Sequence, residues 1–97
     1  MIEIVRVIAR AEAREGKAEE LRQVLRTLVM PTRSEQGCRY YELFESKLPG
    51  VFYFNELWNS QADLDAHARS AHFNAVMAQV KELVKVPMEV NLLTEIE

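Results

Sequence analysis

Phe52-Tyr-Phe-Asn-Glu-Leu-Trp-Asn-Ser-Gln-Ala-Asp-Leu-Asp-Ala-His-Ala-Arg-Ser-Ala-His-Phe73 sets a strand directly before a helical region. It holds the chain's one Trp, both of its His residues and three of its four Phe. Period-2 alternation puts Phe52, Phe54, Glu56 and Trp58 on one strand face, so a single acid sits inside an aromatic surface. Ser60 followed by Asp63 matches a helix N-cap with an acid at N3. Leu64 and Phe73 lie on opposite sides of a straight helix at about 100° per residue. Yet each opens a plausible buried stripe, Leu64 with Ala68, then Phe73, Val76, Met77, Val80, Leu83 and Val84. The spacing predicts a break between Arg69 and His72.

The rest of the order follows outward from that stretch. Lys47-Leu-Pro-Gly50 is a turn signal, which pairs Cys38–Phe44 antiparallel with Val51–Trp58. In the earlier strand Cys38, Tyr40, Glu42 and Phe44 share one face, with Tyr41 and Leu43 on the other. Gln36-Gly37 precedes it as a turn. From Ala18 a helix buries Leu21, Val24, Leu25, Leu28 and Val29, and Pro31 is expected to bend or end it. Ile2 to Ala11 is nearly all apolar and reads as a strand buried on both faces. Val86 to Ile96 is the last strand, and Pro87 places its start at an edge or an irregularity.

The order β-α-β-β-α-β is the ferredoxin-like plan, an α+β fold with both helices on one face of a four-stranded antiparallel sheet. The 97 residues, 48% of them hydrophobic, fit one domain spanning 1–97. Val51, Tyr53 and Leu57 would leave the second sheet face apolar, so a homodimer packed sheet against sheet is expected.

A net charge of −3 argues against nucleic acid or an anionic membrane as the main partner. No run is long and apolar enough to span a bilayer, and the N-terminus lacks a secretion-signal pattern. Cys38 is the sole cysteine. These features point to a reducing, cytoplasmic compartment.

Glu56 is the first candidate for chemistry, because an acid buried by alternation should hold its proton more tightly. His67 follows Asp63 by one helical turn on the side that meets the sheet, where it could pair with Glu56 and relay a proton. His72 and Phe73 fall at the break, as a polar contact or cap and a pocket wall. Trp58 is core, or a flat surface for a ring substrate. Tyr40 and Tyr41 read as ordinary strand residues, and Cys38 as inert core. The two His are about 140° apart on an unbroken helix, which disfavours shared metal ligation unless the break realigns them. The absence of a glycine-rich phosphate loop and of a G-x-S-x-G elbow removes nucleotide binding and serine hydrolysis.

Gly37-Cys-Arg-Tyr-Tyr-Glu-Leu43, Phe54-Asn-Glu-Leu-Trp58, Leu64-Asp-Ala-His67 and Ser70-Ala-His-Phe73 together resemble the antibiotic biosynthesis monooxygenase family, nearest its small quinol monooxygenase-like members. The resemblance spans essentially the whole chain. It implies a dimeric α+β barrel with a pocket between sheet and helices, oxidising a small quinol or phenol with O₂ and without metal, flavin or other cofactor. Within it, His67 and Glu56 become the catalytic candidates, and Phe54, Trp58, His72 and Phe73 the substrate contacts. The chain departs from the polyketide-oxidising branch at Phe54 and Leu64. It departs from the haem-degrading branch at His67 and Met77, and has no Asn among residues 1–15. Two other readings are a proton-transfer isomerase acting on a small carbonyl compound and a non-catalytic ligand-binding dimer.

Overall fold

The computed structural model describes residues 3–97. Four strands, β1 (Val5–Glu12), β2 (Cys38–Glu45), β3 (Val51–Trp58) and β4 (Glu89–Leu93), form one antiparallel sheet in the order β2-β3-β1-β4. Between β1 and β2 run α1 (Ala18–Arg26) and α2 (Val29–Arg33). Between β3 and β4 run α3 (Gln61–Ala68) and α4 (Ala71–Leu83). This is the ferredoxin-like arrangement expected from the element order.

The core lies between the helices and one sheet face. Leu21 and Leu25 of α1, Leu28 just after it, and Val76, Val80 and Leu83 of α4 meet Val7, Ala9, Ala11, Phe52, Phe54 and Trp58. The helical contributions repeat at three- and four-residue intervals, as a single buried stripe requires. Phe52, Phe54 and Trp58 are all but inaccessible to solvent, and each such burial contributes on the order of 2–3 kcal/mol.

The structure corrects five local expectations. β1 is buried on one face only: Val5, Val7, Ala9 and Ala11 point to the core, whereas Arg6, Ile8, Arg10 and Glu12 are half-buried on the other side. Ile2, part of the expected strand, lies outside the described residues. Val51 is buried within its own chain, so the open face at β3 is left to Tyr53, Asn55 and Leu57. That face is mixed in character, because the Arg6 guanidinium donates to Asn55 Oδ1 at 2.6 Å and Arg10 pairs with Glu12. A register shift between Cys38 and Tyr40 puts Cys38 opposite Trp58 and Tyr41 opposite Glu56. The extra residue at Arg39 therefore returns Cys38 to the face of Tyr41.

Pro31 does not end a helix. The first helix stops before Thr27, and Pro31 lies in the first turn of α2, where its missing N–H costs no helical bond. The last strand is shorter than its apolar run, pairing only over Glu89–Leu93 with β1, and it is an edge strand entered just after Pro87.

The expected break in the second helical region is present at Arg69 and Ser70. Ser60 Oγ accepts from the Asp63 N–H and caps α3; Ser70 Oγ accepts from the Phe73 N–H and caps α4. The Ser70 hydroxyl also donates to the His67 carbonyl at 2.7 Å, so one side chain closes the corner from both sides.

Candidate functional site

A cavity of about 340 Å³ opens between the β1–β3 face of the sheet and the α3–α4 corner. Its apolar wall is built from Val7, Ala9, Phe54, Leu64, Phe73 and Met77, and its rim reaches Val90 and Leu92 of β4. Besides the exposed Asp65, three side chains that can carry a proton sit in this wall, Tyr41, Glu56 and His67. Each is almost fully buried.

Glu56 reaches the cavity because it follows Phe54 by two residues on the helix-covered face of β3. Its Oε1 accepts the indole N–H of Trp58 at 2.9 Å. Burial pushes its carboxyl up to about 7, against the opposing Trp58 hydrogen bond, and the charge of Glu35 pushes the same way as burial. A carboxyl in that range can hold or release a proton near neutrality.

His67 closes α3 and is packed between two rings, Trp58 at 4.8 Å and Phe73 at 4.6 Å between centroids. Its Nδ1 lies 2.7 Å from Glu35 Oε2. Burial lowers the imidazole's affinity for a second proton, with Glu35 opposing, so the net direction is down and the neutral ring is favoured at pH 7. A ring that donates from Nδ1 to a carboxylate leaves Nε2 as the acceptor. No side-chain nitrogen or oxygen among the described residues is both sealed and unpartnered. His67 lines the cavity, and among the described residues its hydrogen bond is made through Nδ1. The arrangement is an oriented base facing an apolar pocket.

Among the described residues no direct hydrogen bond joins Glu56 to His67, and each has a partner of its own. Glu56 is held by Trp58, and His67 by Glu35, a residue of the α2–β2 turn. Trp58 is fully buried behind Glu56 and His67, so its ring supports the wall and is not one of the cavity's lining groups. His72 is half-buried outside the cavity, with Nε2 at 2.9 Å from Glu35 Oε2 and 3.3 Å from Thr32 Oγ1. Phe54 and Phe73 line the cavity as expected. The helix break realigns both imidazoles onto one carboxylate, which the angular argument for an unbroken helix disfavours.

Tyr41 and Glu35 are the residues that pattern reading passed over. Tyr41 is paired opposite Glu56 and packs its ring 5.0 Å from that of Phe54. Burial, and the nearby charge of Glu56, keep its hydroxyl strongly protonated. Its only signal was its place on the Leu43 side of β2. Glu35 had none, since a polar residue before Gln36-Gly37 reads as solvent-facing turn.

Residues 4–79 match the family model described as antibiotic biosynthesis monooxygenase. The chain belongs to the antibiotic biosynthesis monooxygenase family. It is 39% identical over 93 residues to Rv0793 of Mycobacterium tuberculosis, named "Putative monooxygenase", covering 96% of this chain and 92% of that protein. The solved structure of Rv0793 superposes with a TM-score of 0.93, covering 98% of this chain and 97% of the other. PA3566 from Pseudomonas aeruginosa, 31% identical, superposes with a TM-score of 0.92 over 100% of this chain and 98% of its own. The family assignment accords with the ferredoxin-like order and with a pocket placed between sheet and helices. No helix among the described residues is long and apolar enough to cross a membrane.

Proposed function

We propose that this member of the family is a cofactor-independent monooxygenase that oxidises a small quinol or phenol with O₂ in the cavity beside His67. The observation that carries the reading is the Glu35–His67 pair, at 2.7 Å, in the wall of a predominantly apolar cavity. Glu35 holds the Nδ1 proton and so keeps Nε2 free to accept the substrate's hydroxyl proton. The resulting phenolate, poorly solvated between Phe54, Phe73 and Met77, transfers one electron to O₂. Superoxide and the aryloxyl radical then combine at a ring carbon, and the peroxide loses water. For a hydroquinone the balance is quinol plus O₂ to hydroxyquinone plus H₂O, so no external reductant is required. Glu56, titrating near 7, supplies the proton that leaves with the departing hydroxide.

The chain is proposed to act as a homodimer in the cytoplasm, joined through the open sheet face where Ile8, Tyr53 and Leu57 are half-buried and Tyr40 and Phe44 exposed. Sedimentation at micromolar protein is expected to give a dimer, and a clean folded monomer would reject that assembly. The sole cysteine, Cys38, fits a reducing compartment.

O₂ uptake with small hydroquinones tests the activity. Equimolar consumption is expected, with one atom of labelled O₂ in the product and one in water, in the presence or absence of a chelator. Hydrogen peroxide as the sole reduced product would indicate simple autoxidation and reject the proposal. Two proton-carrying groups on one pocket also support a second reading, isomerisation of a small carbonyl compound. Deuterium incorporation from solvent without O₂ uptake identifies that case, and tight binding of quinols without turnover identifies a binding module.

A further inference from the structure

We propose that Glu35, His67 and His72 form a reversible site for one divalent transition-metal ion, with zinc the reference case. Among the described residues these three side chains bring one ligand atom each to within 4.8 Å of one another. They arrive from three segments, the α2–β2 turn, the last turn of α3 and the first turn of α4. Both imidazoles converge on a single oxygen, Glu35 Oε2, from 2.7 and 2.9 Å.

Two imidazoles and a carboxylate are the donor set of open zinc sites and of related borderline ions. Metal–ligand bonds of about 2.0–2.1 Å place neighbouring ligand atoms about 2.9–3.4 Å apart. Admitting the ion therefore takes an opening of a few tenths of an ångström at Glu35 and a closing of the widest pair of ligand atoms from the 4.8 Å limit toward that range. His67 is anchored by the rings of Trp58 and Phe73, and the corner carrying both His is tied by Ser70. His72 is 31% exposed at its side chain and gives the ion a route from solvent. Thr32, fully buried, holds its hydroxyl 3.3 Å from the same His72 nitrogen, Nε2, a contact that the ion displaces when it binds.

Occupation of the site changes His67. With Nδ1 on the ion, the single proton of the neutral ring must sit on Nε2, the nitrogen assigned above to accept the substrate's proton. That nitrogen can then donate a hydrogen bond but not accept a proton. On the reading of His67 as the base, which this consequence rests on, metal loading silences turnover and makes the site an inhibitory one.

The test is direct binding to full-length protein without a histidine tag. Titration with Co²⁺, followed by its visible d–d bands and by zinc competition, is expected to show one ion per chain at micromolar affinity or better. Glu35→Gln and His72→Ala, checked for folding by circular dichroism, should each weaken binding at least about tenfold. The absence of saturable binding by the folded protein would overturn the site, as would undiminished binding in both folded variants. Should either variant fail to fold, the imidazole proton resonances of the unmodified protein decide: shifts of both His on zinc addition support the site, and unchanged resonances reject it. Turnover of a quinol without metal binding rejects the site and leaves the proposed activity standing. Metal binding without inhibition supports the site and rejects His67 as the base.

Discussion

Replacing Glu56 by Gln isolates the cost of burying an acid in the pocket wall. The Gln side chain keeps a carbonyl oxygen to accept the Trp58 indole N–H, so the 2.9 Å contact can survive while the ionisable proton is lost. In the native protein the carboxyl titrates near 7, against 4.5 for an unperturbed carboxyl. The difference corresponds to about 3 kcal/mol, with the raised value meaning that folding favours the protonated form. Below pH 4.5 the acid is protonated whether the chain is folded or not, and its contribution is fully present. Between 4.5 and about 7 the unfolded chain ionises first, so stability falls as pH rises; above about 7 the loss is complete. His67 acts with the opposite sign. Its proton affinity is lowered in the fold, so its contribution is lost as pH falls below 6.5, equally in both proteins. Urea unfolding at fixed protein concentration and several pH values between 4.5 and 8.5 should show Glu56→Gln gaining on the unmodified protein by about 2–3 kcal/mol across that range. A shift that large is a substantial part of a small domain's total stability. Parallel pH profiles for the two proteins would refute the claim that Glu56 is buried against its own ionisation.

His67→Asn should lower kcat on a confirmed quinol at least about tenfold, measured by O₂ uptake, because the pocket-facing base is gone. Glu35→Gln should move the acid limb of the kcat/KM profile to lower pH, since Glu35 raises the proton affinity of His67; an unmoved limb would deny Glu35 its positioning role. Gly37→Ala should destabilise by about 1–3 kcal/mol in thermal unfolding, because Gly37 has φ +82° and an added Cβ would collide with the Asp63 side chain. Ser70→Ala should cost about 1 kcal/mol by the same measurement, through loss of the α4 cap and of the hydroxyl's bond to the His67 carbonyl.

Much of the fold is written in local chemistry. The alternation of Phe52, Phe54, Glu56 and Trp58 depends only on the pleat. The Ser60 cap, with the change of phase between Leu64 and Phe73, marks two helices where a continuous pattern would make one. The errors occur where tertiary contact overrides a local rule. The bulge at Arg39 flips Cys38 to the other face, Pro31 is absorbed by a new helix start, and Arg6 and Arg10 occupy a sheet face that apolar neighbours made look dry.

The candidate site divides along the same line. From the sequence alone, Glu56, Phe54 and Phe73 are assigned to a covered surface and His67 to the helix side that meets it, because periodicity determines which way a side chain points. Which groups pair is a different matter, since hydrogen bonds between segments depend on how far apart those segments lie after packing. Only the tertiary structure brings Glu35, from an unremarkable turn, beneath the α3–α4 corner. It thereby gives His67 a carboxylate partner, leaves Glu56 to Trp58, and gathers His72 onto the same oxygen.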